Sequence, residues 1–319
     1  MRGFPFFLTC LLVAAGVFLA ARWTENGYVF FAGYVVLQYI VLAIAWNILG
    51  GYTGYVNFGI AGFFAIGAYT TVAVEKLVPL PLPVVMLAGG AVSGLLGLGM
   101  GYLTLRLRGV FFSIATLAMA VVAQTFMVNW DFVGGSAGAF TIRPMTTPYF
   151  GMDYIRYLFL LMLGLVVLAV VVARAIERSR LGDGFAAIRD DELAAEASGV
   201  PTLRLKLIAT AMSGAFMGMA GAPLPFYVTY LDPPSAFSLA YAVNTIAMPL
   251  IGGTASWMGP LIGAVLLASL QQLVTVTISS AVNLLIVGLM LVGFIIIAPR
   301  GIIGWFGIGA GKRRRGRGR

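Results

Sequence analysis

The chain has 319 residues, 61% of them hydrophobic and 10% charged, and a formal net charge of +9. A soluble domain carries about 25% charged residues, so this composition excludes an ordinary water-soluble fold and calls for lipid around most of the surface. With no histidine and one cysteine, the chain also excludes Ser-His-Asp and Cys-His catalysis, histidine metal sites, thiolate clusters and an intrachain disulfide.

A helix that crosses a bilayer needs about 20 apolar residues, and runs near that length recur along the chain. They lie at roughly 4–21, 28–49, 55–74, 83–104, 110–129, 155–173, 206–229, 239–251, 258–278 and 282–298. The expected fold class is therefore all-α, a polytopic helical membrane protein with about eight to ten transmembrane helices. The first run has Arg2 before it and Ala20-Ala21 after it, as a signal peptide would. It is long for a signal h-region and reads as a retained span, in which Cys10 is a small hydrophobe. Gly90, Gly94, Gly97 and Gly101 in the fourth run, and Gly214 and Gly218 in the seventh, have the spacing that lets helices pack closely in lipid. The run 239–251 is short and stops at Gly252-Gly253. It either crosses steeply or pairs with its neighbour as a re-entrant element.

Two loops stand out. Residues 130–154 are rich in Gly, Thr and Pro, and 174–205 are the most charged stretch before the C-terminal tail. The organisation expected is one transmembrane domain over 1–311, with the charged loop at about 177–204, and a basic disordered tail over 312–319.

Charge sets the orientation. With the N-terminus in the cytoplasm, Arg2, Arg106, Arg108, Arg174, Arg178, Arg180, Arg189, Arg204, Lys206, Arg300 and the tail fall inside, and only Arg22, Lys76, Arg143 and Arg156 fall outside. The positive-inside rule then predicts that both termini are cytoplasmic. The tail residues Lys312, Arg313, Arg314, Arg315, Arg317 and Arg319 suit the anionic inner leaflet, with no nucleic-acid partner.

The eleven acids all fall in loops or at span ends. Proton-coupled carriers usually place ionisable groups inside the bundle, although sodium-coupled ones can use backbone carbonyls instead. Uphill transport would draw its energy from another subunit. No G-x-x-x-x-G-K-[ST] phosphate loop is present, and the nearest approach, Gly307 to Lys312, lacks both the spacing and the hydroxyl residue.

The charged loop reads DGFAAIRDDELAAEASG over 183–199. Asp183 is placed to cap a helix, and Gly199, with Pro201 after it, to end one. Phe185, Ile188 and Ala195 share one face of that helix, and Asp190, Asp191, Glu192 and Glu196 fill the polar side. Arg189 and Glu192, three apart, are expected to be surface neighbours. The helix is either a solvated loop helix or a coupling helix seated in a groove of a soluble partner, since helix-in-groove docking uses this mixture of apolar anchors and rim charges.

From Ser179 to Ala222 the sequence resembles branched-chain amino-acid ABC transporter permeases, most closely the LivM-type member of the permease pair. Gly184, Ala187, Ile188, Arg189, Asp191, Glu192, Ala194, Ala195, Glu196, Gly199 and Lys206 match that family's loop signature. Residues 54–69, 106–118, 134–138 and 251–264 resemble four further motifs of the family. The sequence departs from them at Asn57 and Ile60, where serine and histidine are common, at Phe132-Val133 before the glycine pair, and at Asp232-Pro233-Pro234.

The resemblance implies a non-catalytic permease subunit of an ATP-driven importer in the bacterial inner membrane. It implies a second, related permease as heterodimer partner, two ATP-binding cassette subunits and a periplasmic substrate-binding protein. No cofactor belongs to this chain; ATP is used by the partner subunits. The implied substrates are leucine, isoleucine and valine, and the alternative is the same architecture importing urea, short amides or other amino acids. The residues expected to couple ATP hydrolysis are Gly184, Ile188, Arg189, Asp191, Glu192, Ala195 and Gly199. Asn57, Gly59, Phe63 and Gly67 are candidates for the translocation path, Asn57 being equally suited to a helix–helix hydrogen bond.

Overall fold

A computed structural model describes residues 4–23, 27–104, 107, 109–145, 152–277, 285, 288–289, 292–293 and 301–305. Arg106, Arg108, Arg300, the tail and most of the run 282–298 lie outside the described residues. The helices are α1 (Phe4–Trp23), α2 (Tyr28–Leu49), α3 (Ile60–Leu77), α4 (Leu82–Thr104), α5 (Val110–Val128), α6 (Tyr154–Glu177), α7 (Arg180–Asp190), α8 (Glu192–Ala197), α9 (Thr202–Gly221), α10 (Leu224–Val228), α11 (Pro233–Ala236), α12 (Leu239–Gly252) and α13 (Met258–Thr277), with a short helix at Gly301–Trp305. Among the described residues, eight helical stretches are long and apolar enough to cross a membrane. The protein is a polytopic helical membrane protein, as its composition predicts.

α2 is hydrophobic on all sides, and a helix of that kind belongs in the interior. It packs on α6, α9, α12 and α13, and Phe30, Tyr34, Trp46 and the run Val41–Ala45 are buried on it. α5 is apolar too, but Phe111, Ile114, Val122 and Phe126 on it stay exposed in this single chain.

Small residues on α4 and α9 let these two helices pack closely. Gly90, Gly94 and Gly97 face Ala211, Ala215 and Met219 of α9, as their spacing predicts, and Gly101 is buried in the same helix. α3 and α9 approach closely, since a Cβ on Gly67 would lie 2.0 Å from the Gly218 carbonyl oxygen, and α12 and α13 come closer still, a Cβ on Gly252 lying 1.8 Å from the Gly259 carbonyl oxygen. Lipid supplies no hydrophobic drive to pair helices, so contact between bare backbones supplies the attraction.

α11 and α12 settle the short run 239–251. Phe237 stacks on Tyr69 midway along α3, Tyr241 packs on Phe64 near its start, and Trp257 beyond α12 donates its backbone N–H to Glu177 at the end of α6, 3.3 Å away. The stretch Pro233–Gly252 is long and apolar enough to be one of the eight candidate spans. At the end of the bundle away from Glu177, a two-residue antiparallel ribbon pairs β1 (Ala139–Phe140) with β2 (Tyr230–Leu231).

The helix spacing gives a first expected outcome. In Gly218→Val the new Cβ would lie 2.3 Å from Ser93 Oγ and 2.5 Å from the Gly89 carbonyl oxygen. Overpacking of this kind costs about 1–3 kcal/mol. Thermal unfolding in detergent is expected to show that loss for Gly218→Val and none for Gly99→Val, a position with no atom within 4 Å.

Candidate functional site: the charged connector

The segment between α6 and α9 is a folded connector. Ser179 accepts the Gly182 N–H at 3.4 Å and starts α7. Asp191 is extended, with φ −161° and ψ 109°, and its Oδ1 accepts the Ala194 N–H at 3.1 Å to start α8. One helix over 183–199 was expected, and two form. The physical reason is the Asp191 side chain, which offers the chain a second N-cap and so competes with helix continuation. Asp183 sits in the first turn of α7, where its charge suits the helix dipole. The stop is where the sequence puts it: Gly199 has φ +82°, a left-handed conformation that glycine adopts without Cβ strain.

The apolar face of the connector turns inward. Phe185, Ile188 and Ala195 are all buried within the chain, and Gly184 sits close against Leu205 of α9, where an added Cβ would come within 2.7 Å of Leu205 Cδ1. The outward face carries Asp183, Arg189, Asp190, Asp191, Glu196 and Leu193, the last a leucine 62% exposed. The anchors expected to dock a partner hold the connector to its own bundle instead.

Arg189 and Glu192 also part company at the Asp191 break. Arg189 donates to the Gly51 carbonyl at 3.4 Å and approaches Asp190 at 3.6 Å. Its stem lies over Gly54, which has φ +80°. Glu192 turns inward to Lys206 on the first turns of α9, at 2.7 Å. The second oxygen of Glu192 accepts the Tyr55 hydroxyl, and Lys206 donates to that hydroxyl at 3.2 Å while its ammonium lies 4.7 Å from the Tyr55 ring centre. The side chains of Lys206 and Glu192 are only 4% and 12% exposed. Tyr55 packs edge-on against Phe112 of α5 at 5.0 Å. One ion pair thus joins α8, α9 and the segment 50–59, with α5 beside it.

The candidate path residues lie next to and beneath this cluster. Asn57 is buried; its Oδ1 accepts the Gly59 N–H at 2.7 Å at the start of α3, and its backbone carbonyl accepts Trp46 Nε1 at 3.0 Å. Gly59 lies close to α5, where a Cβ would come 2.9 Å from the Thr116 carbonyl oxygen. Phe63 is buried and its carbonyl accepts Ser93 Oγ at 2.9 Å. Gly67 faces Gly218. Tyr55 and the role of Lys206 are the residues that sequence reasoning missed. The available signal was a cation one turn inside an apolar helix, where it needs a partner, with Glu192 the acid that supplies it.

These features define a class, a multi-pass helical membrane protein whose charged connector is fastened into the bundle by a buried ion pair. The profile of the family described as the permease component of branched-chain amino acid transport systems matches residues 28–295, so the chain belongs to that family. It is 29% identical to the high-affinity branched-chain amino acid transport system permease protein LivM of Salmonella typhimurium, over 84% of this chain and 68% of that relative. With the LivM of Escherichia coli it shares 28% identity, over 93% of this chain and 74% of the relative. With the probable branched-chain amino acid transport permease protein LivH of Methanocaldococcus jannaschii it shares 24%, over 83% and 88%. No solved structure matches.

Removing one member of a buried ion pair leaves an uncompensated charge and costs about 3–5 kcal/mol, whereas replacing the whole group by apolar side chains is often neutral. Glu192→Leu and Lys206→Met are each expected to lower thermal stability by about that amount. The triple variant with Tyr55→Phe is expected to recover most of it. A triple variant less stable than either single one would contradict the pairing.

Proposed function

We propose that the chain is the transmembrane permease subunit of an ATP-binding-cassette importer for leucine, isoleucine and valine in the bacterial inner membrane. It works with a second, related permease. Two cassette subunits dock on the connector, and a periplasmic binding protein delivers substrate at the end that carries the β1–β2 ribbon. The distribution of basic residues supports a cytoplasmic connector and cytoplasmic termini.

The observation that carries this reading is the Lys206–Glu192 pair at 2.7 Å with Tyr55 across it. A force applied to the connector is passed through this buried, charged joint to α9 and to the segment that leads into α3. Binding of ATP closes the cassettes, and their differential contacts with two connector positions shift the bundle between inward-open and outward-open populations. The outer face of α7 and α8, with Leu193 and its acidic rim, is the surface offered to a cassette groove.

The test separates docking from folding. Leu193 is exposed and Ile188 buried. Leu193→Asp is expected to lower leucine uptake at least about tenfold, a loss of roughly 1.4 kcal/mol in effective docking, and to weaken cassette binding at a normal permease level in the membrane. Ile188→Asp is expected to lower the permease level itself, since it buries an unpaired charge. Wild-type uptake and cassette binding in Leu193→Asp would contradict the docking assignment.

A further inference from the structure

Most hydroxyls in the spans are satisfied locally. Thr70, Thr104, Thr125, Thr210 and Thr275 each donate to the carbonyl four residues back. Thr245 in α12 does not: it is fully buried and its Oγ1 has no partner. Two more buried groups are in the same position on α2, the Tyr34 hydroxyl and Gln38 Nε2. Tyr34 and Gln38 are four residues apart and share a face, as Tyr241 and Thr245 do. α2 and α12 pack on each other, and both end beside the connector, α2 just before Gly51 under Arg189 and α12 just before Trp257 on Glu177, so they run in the same direction. Tyr39, which follows Gln38, and Asn244, which precedes Thr245, bridge them at 3.4 Å, and Gln271 of α13 donates to Asn244 Oδ1 at 3.2 Å.

The backbone adds a second, independent feature. Pro249 lies inside α12 and has no N–H to give the Thr245 carbonyl four residues back. Proline also interrupts the neighbouring span, at Pro223 ahead of α10, and that short helix places Tyr227 in a stack on Tyr34 at 4.4 Å. In membrane proteins, interrupted helices and freed carbonyls are tolerated where other groups re-satisfy them or where they line a passage. A buried polar group without a partner lowers stability, and an apolar group of the same shape would remove that cost. A cluster of such groups calls for an explanation beyond the resting fold.

We propose that the α2–α12 seam receives the zwitterionic head of a free α-amino acid during transit. The carboxylate accepts from Gln38 Nε2 and the Tyr34 hydroxyl. The ammonium donates to the Thr245 carbonyl and Oγ1. The Phe64 ring, 4.7 Å from that of Tyr241, forms the apolar wall for the aliphatic side chain. In the state described here the side chains close over one another, and the seam opens only as the bundle rocks. The inference rests on the amino-acid importer reading above.

The test is radiolabelled leucine uptake into liposomes holding the whole complex, driven by leucine-loaded binding protein. Thr245→Val and Gln38→Leu are each expected to lower uptake at least about tenfold. Stimulation of ATP hydrolysis by the loaded binding protein should stay within about twofold of the parent complex. The melting temperature should equal or exceed the parent value, because an unsatisfied polar group has been replaced by an apolar one. Uptake within about twofold of the parent would overturn the seam assignment. So would a lower melting temperature or failed assembly in both variants, since the groups would then be holding the fold. A parent complex that takes up none of leucine, isoleucine and valine would overturn the importer reading at the control, and this proposal with it.

Discussion

A lysine near the start of an apolar helix cannot be left uncompensated. Lys206 is buried, and Glu192 comes in from the connector and Tyr55 from the loop before α3 to partner it. Desolvating both charges is expensive, and the Coulomb gain offsets it only when hydrogen bonds complete the geometry. Tyr55 supplies that completion and packs its ring beneath the ammonium. The position of α8, the inward turn of Phe185 and Ile188, and the close lie of Arg189 over the 50–54 loop are all consistent with that fastening.

A joint transmits motion only if what it is fastened to is stiff. α9 meets α3 and α4 through Gly67, Gly89 and Gly218, where backbone lies against backbone and the nearest side chains are the short Ser93 and Ala222. Close-packed interiors transmit displacement because they deform little. Displacing α8 should therefore carry α9, and with it α3 and α4, as one body. The α2–α12 seam is built differently, with Pro249 inside one helix and buried polar groups in both. Stiff glycine-packed helices beside a polar, interrupted seam give the bundle one part that is driven and one part that can open.

Much of this was legible in the sequence. The apolar runs fixed the spans, because their length is set by the bilayer. The glycine spacing of α4 and α9 foretold close helix packing, though not which helices meet, and Gly199 foretold the stop of the connector. The break at Asp191 was not legible, because a helix-favouring composition hid a side chain that is a better cap than a helix residue. Nor was the inward turn of Phe185 and Ile188, since periodicity says which residues share a face and not what that face meets. The Lys206–Glu192 pair escaped because its members lie on different helices, so neither helical spacing nor charge pattern links them. The polar seam was out of reach for the same reason: Gln38 and Thr245 are far apart in the chain, and only the fold shows that both lack partners.

The central claim, that the connector and the 50–59 loop move as one body, can be measured with a single cross-link. A Cβ built on Gly54 lies 3.7 Å from Arg189 Cβ, within the range of about 3.5–4.5 Å that a disulfide requires. In a Cys10→Ala background, Gly54→Cys with Arg189→Cys supplies the two thiols, and uptake by the same complex is compared oxidised and reduced. The account predicts equal leucine uptake in the two forms, because the bond joins parts that do not separate during the cycle. Uptake lost on oxidation and restored by reductant would show that the connector slides against the bundle, and would contradict it.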